Sequence, residues 1–246
     1  MSAALKANER IMSLISERLQ AIRALMAQAA VQAGRSVQAV TLVAVSKAHP
    51  AQSIREAWLG GQRIFGENYL QEALNKMALL RDLPLEWHFI GPVQSNKTRL
   101  IAEHFDWVHG IDRLKIAERL SVSRPPAMPP LQVCLQVNVS GEASKGGVSP
   151  EQTEALALAV GALPNLRLRG LMAIPQATAD IALQHRQFRM LRELRDMLNR
   201  RGLALDTLSM GMSGDFPAAI AEGATLVRIG SAIFGPRPPG SHQESP

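Results

Sequence analysis

The segment from Val40 to Gly61, VTLVAVSKAHPAQSIREAWLGG, decides the fold of this chain. It begins with a short apolar run, Val40–Val45, of the kind that forms a strand buried on both faces. A turn at Ser46-Lys47 follows, and His49-Pro50 then opens a helical pattern that ends at Gly60-Gly61. Strand, tight turn and helix in this order predict one βα unit.

The same unit recurs along the rest of the chain. The predicted strands are Val40–Val45, Arg63–Phe65, Glu86–Ile90, Trp107–Ile111, Leu131–Val139, Leu166–Ala173, Thr207–Ser209 and Leu226–Ile229. Helical patterns cover Leu70–Leu80, Lys97–Glu103, Arg113–Leu120, Pro150–Val160, Ile181–Arg200 and Pro217–Glu222. Ser149-Pro150-Glu151-Gln152 supplies an N-cap, a proline at the first helical position and the glutamine of a capping box. Before the first strand, apolar residues from Ile11 onward predict a long amphipathic helix that ends near Gly34.

Short apolar strands, each followed by a helix, favour an α/β fold with an all-parallel sheet closed into a barrel. We therefore predict a single (β/α)8 TIM barrel with an additional N-terminal helix over residues 1–235, followed by a disordered tail at 236–246. An open, doubly wound sheet is the alternative. Against it, no G-x-G-x-x-G follows the first strand, where a dinucleotide fold would place its phosphate turn.

The composition indicates a globular protein that works in a reducing compartment. The chain has 246 residues, of which 46% are hydrophobic and 20% charged, and this excludes disorder and low complexity. Its net charge of +6 suits nucleic acid, an anionic membrane surface or a small anionic ligand. The single cysteine, Cys134, excludes an intrachain disulfide, and Met1–Arg23 lacks the uninterrupted apolar core of a signal peptide. A cytoplasmic protein without a transmembrane segment is therefore expected.

Small residues follow the seventh and eighth predicted strands, where barrels of this kind place phosphate sites. These segments are Ser209–Asp215, leading into a helix, and Arg228–Ser231. Glycines let main-chain N–H groups approach an oxyanion, and hydroxyl groups add hydrogen-bond donors. The pattern predicts a cradle for a phosphate monoester, although ordinary tight turns explain the same residues.

Lys47 is the lysine that stands at the carboxyl end of a predicted strand, directly after an apolar run. Partial desolvation and nearby cations favour the neutral amine, which can form a Schiff base with an aldehyde. A lysine that only extends from a strand end to solvent is the alternative. Pyridoxal 5'-phosphate (PLP) carries both an aldehyde and a phosphate, so it fits an amine and a phosphate cradle across one barrel mouth.

Six segments of the chain closely resemble the pyridoxal phosphate homeostasis proteins. They are Val45–Lys47, Phe65–Tyr69, Trp87–Lys97, Gly170–Pro175, Ser209–Asp215 and Arg228–Gly235, and the likeness runs from about Thr41 to Gly235. The resemblance implies a barrel similar to the N-terminal domain of alanine racemase, with Lys47 as the residue that forms the internal aldimine with PLP. It also implies that Arg228 lies near the pyridine ring or phosphate. Implied around the phosphate are Ser209, Gly211, Met212, Ser213, Gly230 and Ser231.

Other positions in or near these segments have open roles. Asn68 either hydrogen-bonds the cofactor or forms a turn, and His88 is more typical of a buried core histidine than of a catalytic base. Lys145, on the loop after the fifth strand, is a solvated lysine or one that relays PLP. Met172 and Met212 are expected to line the pocket wall.

Three functions are compatible with this sequence. A PLP carrier without appreciable turnover is favoured, because a permanently charged Arg228 facing the pyridine nitrogen would weaken PLP as an electron sink. An amino-acid racemase is the first alternative, and Tyr69 is the sole tyrosine in the chain that could serve it. The position of Tyr69 is more typical of a packing residue at a helix start. A nucleic-acid-binding protein is the second, suggested by the arginines of the helix at Ile181–Arg200. We further expect PLP-dependent apoenzymes as recipients, a monomer, no nucleic-acid or membrane partner and no metal.

Overall fold

The computed structural model describes residues 3–142 and 145–236, with side chains from Leu14 onward. Eight parallel strands close into a barrel in the order of the chain, which confirms the predicted fold class and excludes the open sheet. The strands are β1 Thr41–Val45, β2 Ile64–Glu67, β3 Glu86–Phe89, β4 Trp107–Ile111, β5 Leu131–Gln136, β6 Leu166–Met172, β7 Thr207–Ser209 and β8 Leu226–Ile229.

Helices alternate with the strands and surround the barrel. They are α1 Ala3–Gln32, α2 Ala51–Leu59, α3 Leu70–Leu79, α4 Thr98–His104, α5 Leu114–Ser123, α6 Pro150–Gly161, α7 Ile181–Arg200, α8 Phe216–Ala221 and α9 Ser231–Phe234. No helix in this described part of the chain is long and apolar enough to cross a membrane.

Helix α1 is the predicted additional helix, and it packs along α2, α8 and α9. Ile15, Leu19, Ile22 and Met26 lie on one stripe of the helix and are buried. Burial of this apolar face places α1 against the helices next to β1 and β8, the two strands whose pairing closes the barrel.

The boundaries differ from the sequence-based prediction in a few places. Strand β2 runs on through Gly66 to Glu67, so Asn68 follows it directly. Strand β5 ends at Gln136, because the chain beyond forms only a single bridge, between Val137 and Val148. Four-residue α9, which has too little length for a periodic pattern, was not expected from the sequence. The expected disorder at 236–246 falls outside the described residues apart from position 236.

The start of α6 was predicted correctly in position but not in its capping bonds. Ser149 is the N-cap and Pro150 follows it at the first helical turn. The Ser149 side chain makes no capping hydrogen bond, so the predicted capping box is wrong. Instead, the Ser149 carbonyl accepts from the hydroxyl of Thr153 at 2.8 Å.

The apolar core has two layers. The larger one lies between the strands and the surrounding helices. The smaller one fills the barrel interior with Val43, Trp107, Cys134, Met172 and Leu226. Met172 is fully buried there, so its predicted place on the pocket wall is wrong.

Candidate functional site

A cavity of about 330 Å³ opens where the carboxyl ends of the strands meet. Its volume lies in the range of small-molecule sites. Seven of the residues singled out from the sequence line it together: Lys47, Asn68, Met212, Ser213, Arg228, Gly230 and Ser231. These residues come from four separate strand ends, and barrel closure brings them into one pocket.

Ser209 and Gly211 are not among the residues that line this cavity. The Oγ atom of Ser209 accepts a hydrogen bond from Nη1 of Arg228 at 2.7 Å. The main-chain oxygen of Gly211 accepts from the main-chain nitrogen of Arg228 at 2.9 Å. Both residues therefore hold Arg228 in place through hydrogen bonds. Their contact with a phosphate stays a prediction.

The turn that carries Lys47 is held from both sides by charged side chains. Nζ of Lys76 donates to the main-chain oxygen of Ser46 and to Oε1 of Glu67, each at 2.7 Å. Lys76 also pairs with Glu72, whose Oε1 accepts from the main-chain nitrogen of Ala48 at 2.7 Å. The residues before and after Lys47 are thus both fixed by this ion cluster.

Two details show how tightly this turn is built. Ala48 has a φ of +63°, a left-handed conformation that is uncommon for a residue with a side chain. Oε1 of Glu67 also accepts from Oγ of Ser46 at 2.6 Å. Burial raises the pKa of Glu67, and the hydrogen bonds from Lys76 and Ser46 oppose that effect.

Arg228 lies at the floor of the cavity and is almost completely buried. Besides Ser209, its guanidinium binds the main-chain oxygen of Ala173, from Nη2 at 2.9 Å. Burial lowers its pKa to about 10, and the nearby carboxyl group of Asp215 opposes that change. The group remains a cation at neutral pH, and Arg228 contributes to the cavity lining.

The cavity wall beside Lys47, after β8, is formed by main chain and small residues. Gly230 packs so closely on Val45 that an added Cβ would lie 3.0 Å from the Val45 carbonyl oxygen. Helix α9 begins directly afterwards, at Ser231. On the neighbouring loop, the main-chain nitrogen of Met212 donates to Oδ1 of Asp215 at 2.6 Å, so this amide is already bonded within the protein.

Asn68 presents a polar atom for which the described residues supply no partner. Its Oδ1 atom is buried and accepts no hydrogen bond from the described residues. Buried polar groups normally find a partner, and each exception calls for an explanation. A ligand donor at this side of the cavity would satisfy the atom.

Six further lining residues were not singled out individually from the sequence: Val45, His49, Ile90, Ile174, Gly214 and Gly235. His49 is buried, and its ring centroid lies 5.1 Å from that of Phe234. Its position two residues after Lys47 was a usable signal, but its neighbour Pro50 drew attention to the helix start instead. Ile90 is the first residue after β3 and Ile174 the second after β6, as expected of residues at the mouth of a barrel.

The remaining candidates lie away from the lining. His88 is a buried core histidine with both ring nitrogens hydrogen-bonded, which confirms the favoured interpretation. Tyr69 is the N-cap of α3, at the helix start as expected. Lys145 lies on the loop after β5 and does not line the cavity. Among the described residues, no group of three or more His, Cys, Asp or Glu is placed to hold a metal ion.

The arginines of α7 are largely paired with carboxylates. Arg189 and Arg192 both bind Glu222, each at 2.9 Å, and Arg195 binds Asp196 at 2.7 Å. These pairs leave no continuous stripe of unpaired cations along this helix, as a phosphate backbone would require.

Comparison with known proteins identifies close relatives. Residues 18–238 match the family described as alanine racemase, N-terminal domain. The chain is 65% identical to the pyridoxal phosphate homeostasis protein of Pseudomonas aeruginosa, over 92% of this chain and 97% of the relative. It is 51% identical to the protein of the same name from Escherichia coli K12, over 92% of this chain and 98% of that one.

Two solved structures superpose on this chain. PipY of Synechococcus elongatus PCC7942, determined with PLP bound, superposes with a TM-score of 0.79 at 40% identity, covering 90% of this chain and all of that one. Alanine racemase from Corynebacterium glutamicum superposes with a TM-score of 0.67 at 19% identity over 94% of this chain and 63% of that one, a likeness of fold alone.

Proposed function

The chain belongs to the pyridoxal phosphate homeostasis protein family, built on the barrel of the alanine racemase N-terminal domain, and on that premise we propose that it binds PLP in the cavity around Lys47. One observation carries the proposal: the cavity joins an amine at one strand end to a wall of small residues and a buried cation at two others. PLP-bound PipY supports the same assignment.

The residues present fit PLP. When bound, PLP supplies an aldehyde that a lysine amine captures reversibly and a phosphate that needs hydrogen-bond donors. Lys47 provides the amine, and its turn is fixed by Lys76 and Glu72. Ser213, Gly230 and Ser231 stand where the phosphate is expected at the ends of β7 and β8.

Arg228 is proposed to face the pyridine ring. A cation at this place keeps the ring nitrogen unprotonated and so weakens PLP as an electron sink. We therefore propose a PLP carrier or regulator in intracellular vitamin B6 homeostasis, with PLP-dependent apoenzymes as recipients and without appreciable turnover. Tyr69 supports this, because it lies at the start of α3 and not on the cavity lining.

The first test is covalent trapping of PLP. The full-length protein is incubated with PLP, reduced with borohydride and digested. We expect loss of a visible absorption band on reduction and a reduced pyridoxyl phosphate group on the peptide that contains Lys47. Lys47→Ala should show neither, whereas Lys115→Ala, which removes an exposed lysine of α5, should behave as the wild type. A wild-type protein that takes up no PLP, or a label retained in Lys47→Ala, contradicts the assignment.

Turnover is tested separately with the PLP-loaded protein. D- and L-amino acids are incubated with it and the enantiomers are quantified against free PLP. A carrier gives no enantiomer exchange beyond that of free PLP. Robust racemisation would instead make the protein an enzyme, with the lining His49 as the first residue to examine.

We also propose that the protein acts as a monomer in the cytoplasm. Burial raises the pKa of the Cys134 thiol to about 12, so this cysteine stays protonated and unavailable for an intermolecular disulfide. Light scattering of the purified protein across a concentration series checks the monomer, and a concentration-dependent mass would contradict it.

A further inference from the structure

A continuous chain of hydrogen bonds leads from the floor of the cavity through the barrel interior. Nη1 of Arg228 donates to Oγ of Ser209 at 2.7 Å, and this oxygen lies 2.8 Å from Nδ1 of His109. Nε2 of His109 lies 2.9 Å from Nδ1 of His88, whose Nε2 is 2.8 Å from Oε1 of Glu86. The bond between His109 and Ser209 crosses the barrel from β4 to β7.

The middle of this chain is shielded from water, whereas its far end is not. Ser209, His88 and His109 are fully buried. The side chain of Glu86 is 43% exposed, at the amino end of β3. Glu86 therefore lies on the face of the barrel opposite the cavity, where Asp106 and Arg169 are the charged groups that influence it or its partner His88.

Only one arrangement of protons satisfies every member of the chain. Burial lowers the pKa of both His88 and His109, so both rings are neutral at physiological pH. The hydrogen bond from His88 lowers the pKa of Glu86, which is therefore an anion and can only accept. His88 must then carry its proton on Nε2 and accept on Nδ1.

The same reasoning fixes the remaining donors. His109 donates from Nε2 to His88, so its Nδ1 is an acceptor for the hydroxyl of Ser209. The Ser209 oxygen is then free to accept from Arg228, a group that can only donate. Every bond points from the cation at the cavity toward the anion on the opposite face, so the bond dipoles add.

We propose that Glu86, His88, His109 and Ser209 form a positioning relay that holds the guanidinium of Arg228 in one orientation and couples the ligand site to the opposite face of the barrel. The proposal rests on the proposed function, in which Arg228 faces PLP. Without the anion at Glu86, His88 can move its proton to Nδ1 and reverse the chain. The hydroxyl proton of Ser209 would then lose its acceptor inside the barrel, and the anchor of Arg228 would loosen.

The relay is tested first in the full-length, PLP-free protein. With ¹⁵N-labelled histidine and arginine, the spectrum is expected to show neutral Nε2–H rings for both His88 and His109. The Arg228 guanidinium should give separate, slowly exchanging N–H signals. In Glu86→Ala, the His88 ring should shift toward the Nδ1–H form and the Arg228 signals should average. The matched control is Glu103→Ala, which removes a carboxylate of α4 that pairs with the exposed Arg99.

The second readout is the dissociation constant for PLP at fixed pH and salt. Glu86→Ala should raise it about three- to tenfold, the size of effect typical of a residue that acts through a network. Glu103→Ala should leave it unchanged. A charged or Nδ1–H ring in the wild type overturns the relay, and so do Arg228 signals or a PLP affinity that Glu86→Ala does not alter. If the wild type binds no PLP, the proposed function is contradicted. The histidine and arginine spectra still test the relay in that case.

Discussion

The Nζ atom of Lys76 lies 2.7 Å from the main-chain oxygen of Ser46, the residue that precedes Lys47. This bond ties the middle of α3 to the turn at the end of β1. With Glu67 and Glu72 on the same amine, α3 acts as the support of the turn that carries the proposed PLP lysine. A rigid backbone here lets Lys47 present its amine in one place, and sites on rigid elements hold ligands better.

Lys76→Met is expected to lower the free energy of unfolding by about 3 kcal/mol, because it leaves the carboxylate of Glu67 buried without its cation. Urea denaturation measures the change. Lys76→Met combined with Glu67→Gln should recover part of the loss, since the buried charge is then removed as well. Lys115→Met, on the exposed face of α5, is the matched control. A double variant as unstable as Lys76→Met alone would contradict this account.

Much of the fold follows from the sequence because βα units are local. Most strands in this barrel are short runs rich in apolar residues, and the longer helices carry their own periodicity. The order of elements was therefore predicted except for α9, with ends that moved by a few residues. The end of β2 shows where prediction from the sequence fails. Its last residues, Gly66 and Glu67, are not a typical strand ending, and pairing with His88 and Phe89 of β3 decides that they belong to the strand.

Only those candidate site residues that lie at or near strand ends could be predicted from the sequence. Lys47 and Arg228 are visible from the sequence because each stands at or near the end of an apolar run. The residues that hold these two regions in place through hydrogen bonds are not visible from the sequence. Lys76 lies on a helix and His109 inside a strand, and only the closed barrel brings them to Ser46 and Ser209. Such long-range contacts leave no periodic signal in the chain.

Gly230→Ala is expected to weaken PLP binding without unfolding the barrel. The added Cβ would meet the Val45 carbonyl oxygen at 3.0 Å and its Cβ at 3.3 Å, so this wall of the cavity must shift. Fluorescence titration should give a dissociation constant about tenfold higher, the result of a misplaced donor wall. Gly161→Ala, where the new Cβ makes an ordinary contact with Leu203 at 3.6 Å, is the control. Equal affinities for the two variants would contradict the close approach.

Asn68→Ala separates binding from stability. The Oδ1 atom of Asn68 is buried and has no hydrogen-bond partner in the part of the chain that the structure describes. Removing it should therefore leave the melting temperature of the PLP-free protein unchanged or slightly higher. The dissociation constant for PLP should rise about three- to tenfold, as expected for one lost hydrogen bond. Differential scanning calorimetry and titration measure the two effects. A fall in stability with unchanged affinity would mean that Asn68 is a turn residue only.

The buried imidazoles make stability depend on pH in a defined window. Burial holds the pKa of His88 and of His109 below the value of 6.5 that each has in the unfolded chain. Above pH 6.5 neither state binds the extra protons, so these groups add no slope. Below pH 6.5 the unfolded chain binds these protons before the folded chain does. The free energy of unfolding then falls by up to about 1.4 kcal/mol per pH unit for each ring. His109→Gln should reduce this slope between pH 6.5 and about 5. Equal slopes for the wild type and His109→Gln would show that the ring is not held neutral by the fold.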